Sequence, residues 1–149
     1  MTAPYEEHYP ALVRLAALLA DSVVTADEIV QDSFVALRYA RRRRVSESAP
    51  LYLRRSVVYR SRSALRRQRP VAGRSRPEPA PGSQGEYPAV ISALRALPAR
   101  QREVLVLRYY ADLSDAQIAY VTGISSDAVK RHAARAMASL RQALESADE

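Results

Sequence analysis

The chain has 149 residues, 48% of them apolar and none of them cysteine, which is enough for one domain or two small helical ones and leaves no disulfide frame or thiolate metal site. No apolar run reaches the length of a membrane span, and the start MTAPYEEHYP has no basic stretch leading into an apolar one, so the expectation is a soluble, cytoplasmic protein without membrane insertion. The net charge of +7 is unevenly placed: residues 1–37 carry six acids against Arg14, residues 38–76 fourteen arginines against Glu47, and residues 77–149 nine acids against eight bases.

A block of guanidinium groups this dense attracts polyanions over about 8 Å at physiological salt and suits bidentate phosphate contacts. Nucleic acid is the partner it favours. The other readings are a solvated, solubilising face or the arginine habit of a high-GC genome, to which the single lysine, Lys130, also points.

In chain order, Tyr9, Leu12, Val13, Leu15, Ala16 and Leu19 recur at helical steps, and Pro4 stands near the start of a helix over Tyr5 to Ala20. Thr25 with Glu28 forms a capping box, which places the start of a second helix near Ala26 with Asp27 in its first turn. The apolar stripe of that helix is Ile29, Val30, Phe34 and Leu37, to which Tyr39 can be added. Its other face shows Glu28, Gln31 and Asp32 before Arg41 to Arg44, so an acidic-polar patch and a cationic one imply two partners.

Pro50 suits the first turn of a third helix, Leu51 to Arg67, where Leu51, Leu53, Val57, Val58, Ala64 and Leu65 alternate with arginines and with Tyr52 and Tyr59. Arginine with tyrosine on one helix meets the needs of single-stranded nucleic acid, since guanidinium groups track phosphates and rings stack on exposed bases. Each tyrosine taken singly is equally explained, and somewhat better, as a core ring with a wet hydroxyl.

Residues Gln68 to Tyr87 are rich in Pro, Gly and Ser and read as a flexible tether between two helical domains. Beyond it, Ala89 to Ala96 gives a short helix, and Pro98 starts another lined by Val104, Leu105, Leu107, Tyr109 and Tyr110. Ser114 and Gln117 then form a capping box for a helix carrying Ile118, Ala119 and Val121, which Gly123 stops. Ser125 or Ser126 caps the next helix, whose apolar side is Val129, Ala133, Ala136, Met137 and Leu140. Ala119, Gly123 and Val129 stand at helix-turn-helix spacing. Ser126, Asp127, Lys130, Arg131, Ala134 and Arg135 are left facing outward, where two or three could reach base edges or phosphates. The C-terminal SADE reads as a frayed end. His8 and His132 lie far apart, no metal-ligand cluster or phosphate loop appears, and neither an enzyme nor a cofactor is expected.

ALRALPARQREVLVLRYYADLSDAQIAYVTGISSDAVKRHAARAMASLRQAL closely resembles region 4 of the group IV, or extracytoplasmic-function (ECF), sigma factors of bacterial RNA polymerase, in the sigma-70 family. ADEIVQDSFVALR resembles the core-binding helix of region 2, and APLYLRRSVVYRSRSALRRQ the helix that engages the minus-10 element. The resemblance implies an all-α chain of two helical domains: residues 1–68 as region 2, 69–86 as linker and 87–149 as region 4. It implies a sigma factor directing promoter-specific transcription initiation. Its partners would be core polymerase, through the β′ clamp helices and β flap, and promoter DNA; an anti-sigma factor is a further partner the family allows, and the free protein is expected to be a monomer.

By the same resemblance, Glu28, Gln31 and Asp32 would meet the core enzyme. Ser46, Glu47, Ser48, Tyr52, Arg54, Arg55, Tyr59 and Arg62 would serve the minus-10 element, the Val45 to Ala49 loop holding a flipped base. Ser125, Ser126, Asp127, Lys130, Arg131 and Arg135 would serve the minus-35 element. Tyr59 and Ser63 stand where members often carry Asn and Asp, Asp127 where Gly is common, and Arg131-His132 where Ser-Arg is usual, so the promoter elements should differ from the commonest ones. A sigma-like adaptor that binds polymerase or an antagonist without melting DNA, and a two-domain DNA-binding regulator acting without polymerase, are the competing readings.

Overall fold

The computed structural model describes residues 3–20, 23–43, 48–67 and 88–147, and in these every regular element is an α-helix. Helices α1 (Ala3–Ala20), α2 (Val23–Arg42) and α3 (Ala49–Arg67) pack on one another as one unit, and α4 (Pro88–Ala96), α5 (Ala99–Tyr109), α6 (Asp115–Thr122) and α7 (Ser126–Ala147) as a second. The tether expected over Gln68 to Tyr87 lies outside the described residues, as do Ser46 and Glu47.

In the first unit the expected stripes are the buried ones. Leu12, Leu15, Ala16 and Leu19 of α1 meet Ile29, Val30 and Leu37 of α2 and Leu53, Val57, Val58 and Ala64 of α3. Helix α1 runs through Pro10, which offers no N–H to the preceding turn. Helix α2 begins at Val23, not near Ala26, so Thr25 lies inside the helix and Asp27 beyond its first turn. Thr25 and Glu28 keep their spacing as helix-interior residues, and Asp27 is engaged by its neighbours: the Tyr9 hydroxyl donates to Asp27 Oδ1, and Gln31 Nε2 donates to Asp27 Oδ2 at 2.9 Å. The Tyr9 ring also stacks on Phe34, with centroids 5.7 Å apart. The two Tyr9 contacts fasten α1 to α2. Tyr39, read as an extension of the stripe, is exposed.

In the second unit, Leu97 and Leu105 pack on Ala136 with Leu94, Met137 and Leu140 around them, so α7 is the element on which the other helices gather. Tyr109 and Tyr110 were expected to line α5 but are exposed: the helix ends there, and the chain turns through Asp112 at φ 58°, a left-handed conformation that aspartate tolerates. Helix α7 continues to Ala147, so the first half of the expected frayed SADE is helical.

Candidate nucleic-acid interface

The helix-turn-helix is closed at every joint by the residues its spacing nominated. The Ser114 hydroxyl accepts from the Gln117 N–H at 3.2 Å, and Gln117 Oε1 accepts from the Ser114 N–H at 2.9 Å, a complete capping box. Gly123 ends α6 at φ 80°, in the left-handed region a Cβ disfavours, and its N–H reaches the Ala119 carbonyl at 2.8 Å. Ser125 is the residue that caps α7: its Oγ accepts from the Ala128 N–H at 3.1 Å and its carbonyl from the Val129 N–H at 2.9 Å. Ser126 is then the first helical residue.

Three polar contacts brace this motif from behind. Arg100 of α5 donates to the Thr122 carbonyl at 3.2 Å, the Thr122 hydroxyl donates back to the Ile118 carbonyl at 2.6 Å, and Arg108 at the end of α5 pairs with Asp115 in the first turn of α6. The carboxylate of Asp115 raises the Arg108 pKa further. Val129, Ala133 and Ala136 are buried beneath, and Ser125, Ser126, Asp127, Lys130, Arg131 and Arg135 are all exposed on α7. His132, between two of these, is half-buried; its Nδ1 has no hydrogen-bond partner, and burial followed by the charges of Arg100, Arg131 and Arg135 lowers its pKa.

In the first unit, Glu28, Gln31 and Asp32 sit on the exposed side of α2. Their steps of three and four residues place them on one face. Val24, Val35 and Tyr39 are exposed on the same helix at 69%, 46% and 61%. Sequence reasoning passed over the two valines, although the run Val24, Glu28, Gln31, Val35, Tyr39 already has helical spacing.

An open cleft of about 750 Å³ is lined by Asp32, Val35 and Tyr39 of α2, by Arg43 just past its end, and by Tyr52, Arg55 and Arg60 of α3. Acidic and basic candidates thus border one hollow. Tyr52 is half-buried with its hydroxyl donating to the Ala36 carbonyl at 3.2 Å, whereas Tyr59 is 43% exposed and is not a core ring. The Arg55 guanidinium stands 5.5 Å from the centre of the Tyr52 ring and that of Arg62 5.1 Å from Tyr59.

Arg54 does not join this group. It points to α1, lining a small cavity with His8, Leu12 and Leu15, donates to the Pro50 carbonyl at 3.3 Å, and burial lowers its pKa. Ser48 is exposed and opens α3, its carbonyl accepting from the Tyr52 N–H at 2.9 Å.

Residues 4–71 match the family model for sigma-70 region 2, and residues 88–140 that for sigma-70, region 4. The RNA polymerase sigma-E factor of Streptomyces avermitilis is 32% identical over 147 residues, covering 93% of this chain and 81% of that protein. The chain belongs to the ECF-type sigma-70 family. This is a family of RNA polymerase sigma factors acting in transcription initiation, not of enzymes.

The probable RNA polymerase sigma factor RfaY of Xanthomonas campestris pv. campestris is 29% identical over 147 residues; the alignment covers 87% of this chain but only 36% of that longer protein. Among solved structures, CnrH in complex with the cytosolic domain of CnrY matches at 28% identity and TM-score 0.72, over 97% of this chain and 86% of that one. The sigma factor RpoE in complex with the anti-sigma factor NepR from Bartonella quintana matches at TM-score 0.77, over 97% of this chain and 98% of that one; at 20% identity it speaks for the fold alone. Among the described residues no helix is long and apolar enough to cross a membrane, and no group of three or more His, Cys, Asp or Glu side chains could hold a metal ion.

Proposed function

We propose that this sigma factor selects promoters by dividing two DNA elements between its two helical units, with residues 1–68 and 87–149 as the domains and 69–86 as the linker. Ser126, Asp127, Lys130, Arg131 and Arg135 on α7 read the minus-35 element, with Ser125 placed to cap the helix beside it. The observation that carries this is the helix-turn-helix itself, capped at each joint and showing exposed polar residues over a buried apolar strip. Asp127 in the first turn is favoured by the helix dipole and could accept from a cytosine amino group, so the element differs from the commonest one.

The rings and guanidinium groups of Tyr52, Arg55, Tyr59 and Arg62 receive the non-template strand of the minus-10 element. Ser46, Glu47 and Ser48 precede α3, where a flipped base would be held. Arg54, turned onto α1, supports the helix instead. Glu28, Gln31 and Asp32 meet the β′ clamp helices of core polymerase, with Val24 and Val35 adding apolar contact, and the second unit meets the β flap. The protein acts in the cytoplasm, as a monomer until it joins polymerase. Sigma factors of this fold occur in complex with an anti-sigma factor, which supports a similar antagonist here.

The test is run-off transcription from genomic promoter fragments by purified core polymerase with and without the protein. Specific transcripts only on its addition are expected. Core binding without transcripts would replace this reading by that of an adaptor, and absence of both would overturn it.

A further inference from the structure

The amide of a glutamine has two ends of opposite character, an accepting Oε1 and a donating Nε2, and the end it offers a partner depends on what engages the other. At Gln31 the neighbouring residue settles this. Nε2 donates to Asp27 Oδ2 at 2.9 Å, one turn earlier on α2. A carboxylate only accepts, so the reversed amide would set oxygen against oxygen. Oε1 is thereby the end left for a partner.

Asp27 is itself held from the other helix. Its Oδ1 accepts from the hydroxyl of Tyr9, eighteen residues earlier on α1, and the Tyr9 ring stacks on Phe34 with centroids 5.7 Å apart. The hydrogen bond to Asp27, followed by burial, raises the Tyr9 pKa against an opposite pull from Gln31, so the phenol keeps the proton it donates. One oxygen of Asp27 is tied to α1 and the other is turned to Gln31. Glu28 and Asp32, exposed beside Gln31, carry accepting oxygens as well. With Oε1 among them, all three side chains present acceptors on one face.

We propose that Asp27, anchored by Tyr9, is a positioning residue for core polymerase: it fixes the Gln31 amide so that Oε1 accepts from an N–H donor on the polymerase surface. This rests on the placement of core polymerase on this face of α2 proposed above. Asp27 acts through Gln31 and not by touching the polymerase. In Asp27→Asn the side chain keeps its shape and an oxygen to accept from Tyr9, while the atom facing Gln31 becomes a donor. Gln31 then turns Oε1 toward position 27 and Nε2 toward the polymerase, which sets donor against donor.

The experiment titrates core polymerase into the full chain carrying a C-terminal fluorophore and follows its anisotropy, with thermal melting to show that each variant is folded. Gln31→Ala and Asp27→Asn are each expected to weaken binding about three- to tenfold, the scale of one hydrogen bond. The double variant should bind no worse than Gln31→Ala alone. Tyr9→Phe keeps the stacked ring and removes the hydroxyl; it should lose part of the same affinity, and nothing further in the Gln31→Ala background. Asp27→Asn combined with Gln31→Glu exchanges donor and acceptor between the two positions at unchanged net charge, returns an acceptor to the polymerase side and should recover most of the wild-type affinity.

Wild-type affinity in Asp27→Asn would overturn the proposal. So would a loss from Asp27→Asn that is as large in the Gln31→Ala background as without it, since Asp27 would then touch the polymerase itself or act through the fold. An exchanged pair as weak as Asp27→Asn alone would overturn it too. If Gln31→Ala binds like wild type, this face does not meet the polymerase, and the broader placement fails and takes the proposal with it.

Discussion

Helix α6 has eight residues, well short of the roughly 12–15 at which an isolated helix becomes marginal in water, so its ends and its buried side decide whether it exists. Ser114→Ala removes the acceptor of the Gln117 N–H and costs about 1 kcal/mol, the usual loss at a cap. Gly123→Ala forces a Cβ into a residue at φ 80° and costs about 1–2 kcal/mol. The two positions are about 13.5 Å apart along the helix, beyond the distance at which such losses couple, so the double variant loses about 2–3 kcal/mol. A unit of about 60 residues shifts by about 4–8 °C per kcal/mol, which puts the fall at about 8–24 °C.

Thermal unfolding of the full chain, with hydrogen exchange assigning the change to peptides of residues 88–147, is the measurement. Protection should be lost across α5, α6 and α7 together, because Ile118, Val121 and Thr122 hold α6 in their shared core. A Gly123→Ala variant that melts like wild type, or protection lost equally in α1 to α3, would refute the reasoning.

On the proposed strand placement, Arg55→Ala with Arg62→Ala should lower the slope of log affinity against log salt by about 1.4 for single-stranded DNA, at about 0.7 per lost phosphate contact. Arg54→Ala should lower thermal stability and leave that slope in place, since Arg54 lies against α1; a flattened slope from Arg54→Ala would show the side chain misassigned. His132 has a folded pKa held below its unfolded value of about 6.5 by burial and by Arg100, Arg131 and Arg135, against the opposing pull of Glu103. Its contribution to stability is therefore complete above about pH 6.5 and is lost as pH falls toward the folded pKa, because the unfolded chain takes up a proton the folded one resists. Melting between pH 7.5 and 5 should fall less steeply in His132→Asn than in wild type; parallel curves would remove His132 from that account. Lys130→Ala and Arg131→Glu should weaken minus-35 binding without affecting core binding, and a loss of core binding would place these residues on the wrong surface.

The helix-turn-helix was legible because it is written in residues whose conformations are restricted one by one: a serine and glutamine three apart, a glycine where φ must be positive, a second serine at the next cap. The start of α2 was not legible, although Thr25 and Glu28 spell the same capping box. The same spacing fits inside a helix as well as at its start, and α2 begins at Val23 with Thr25 and Glu28 both within it. The exposed rings were misread for a related reason. Periodicity marks a residue as belonging to the buried side but cannot say where the neighbouring helix stops, and Tyr39, Tyr59, Tyr109 and Tyr110 lie beyond or beside the packed part of their helices. Arg54 and Arg55 are indistinguishable in composition, yet a step of 100° around α3 sends one to α1 and the other to the cleft.

Net charge is for the same reason a poor map of where nucleic acid binds. Residues 77–149 balance to about zero, with nine acids against eight bases, and would be passed over beside the arginine block of residues 38–76. The structure sorts those charges by use. Arg102 and Glu103 are buried, Arg108 is paired with Asp115, and Arg100 is committed to the Thr122 carbonyl with Glu103 3.9 Å away, so these charges brace the motif and contribute little field outside it. Lys130, Arg131 and Arg135 remain exposed along α7 against Asp127 alone in its first turn. Among the described residues α7 therefore presents a cationic stretch, because Glu103 is buried and Asp115 is taken up by Arg108. In α1 to α3 the arginines are likewise divided: Arg54 lines a cavity against α1, whereas Arg55 and Arg62 are each set over a ring. What a polyanion meets is the set of charges displayed on one face, and in both units that face is fixed by which apolar residues the helix buries behind it.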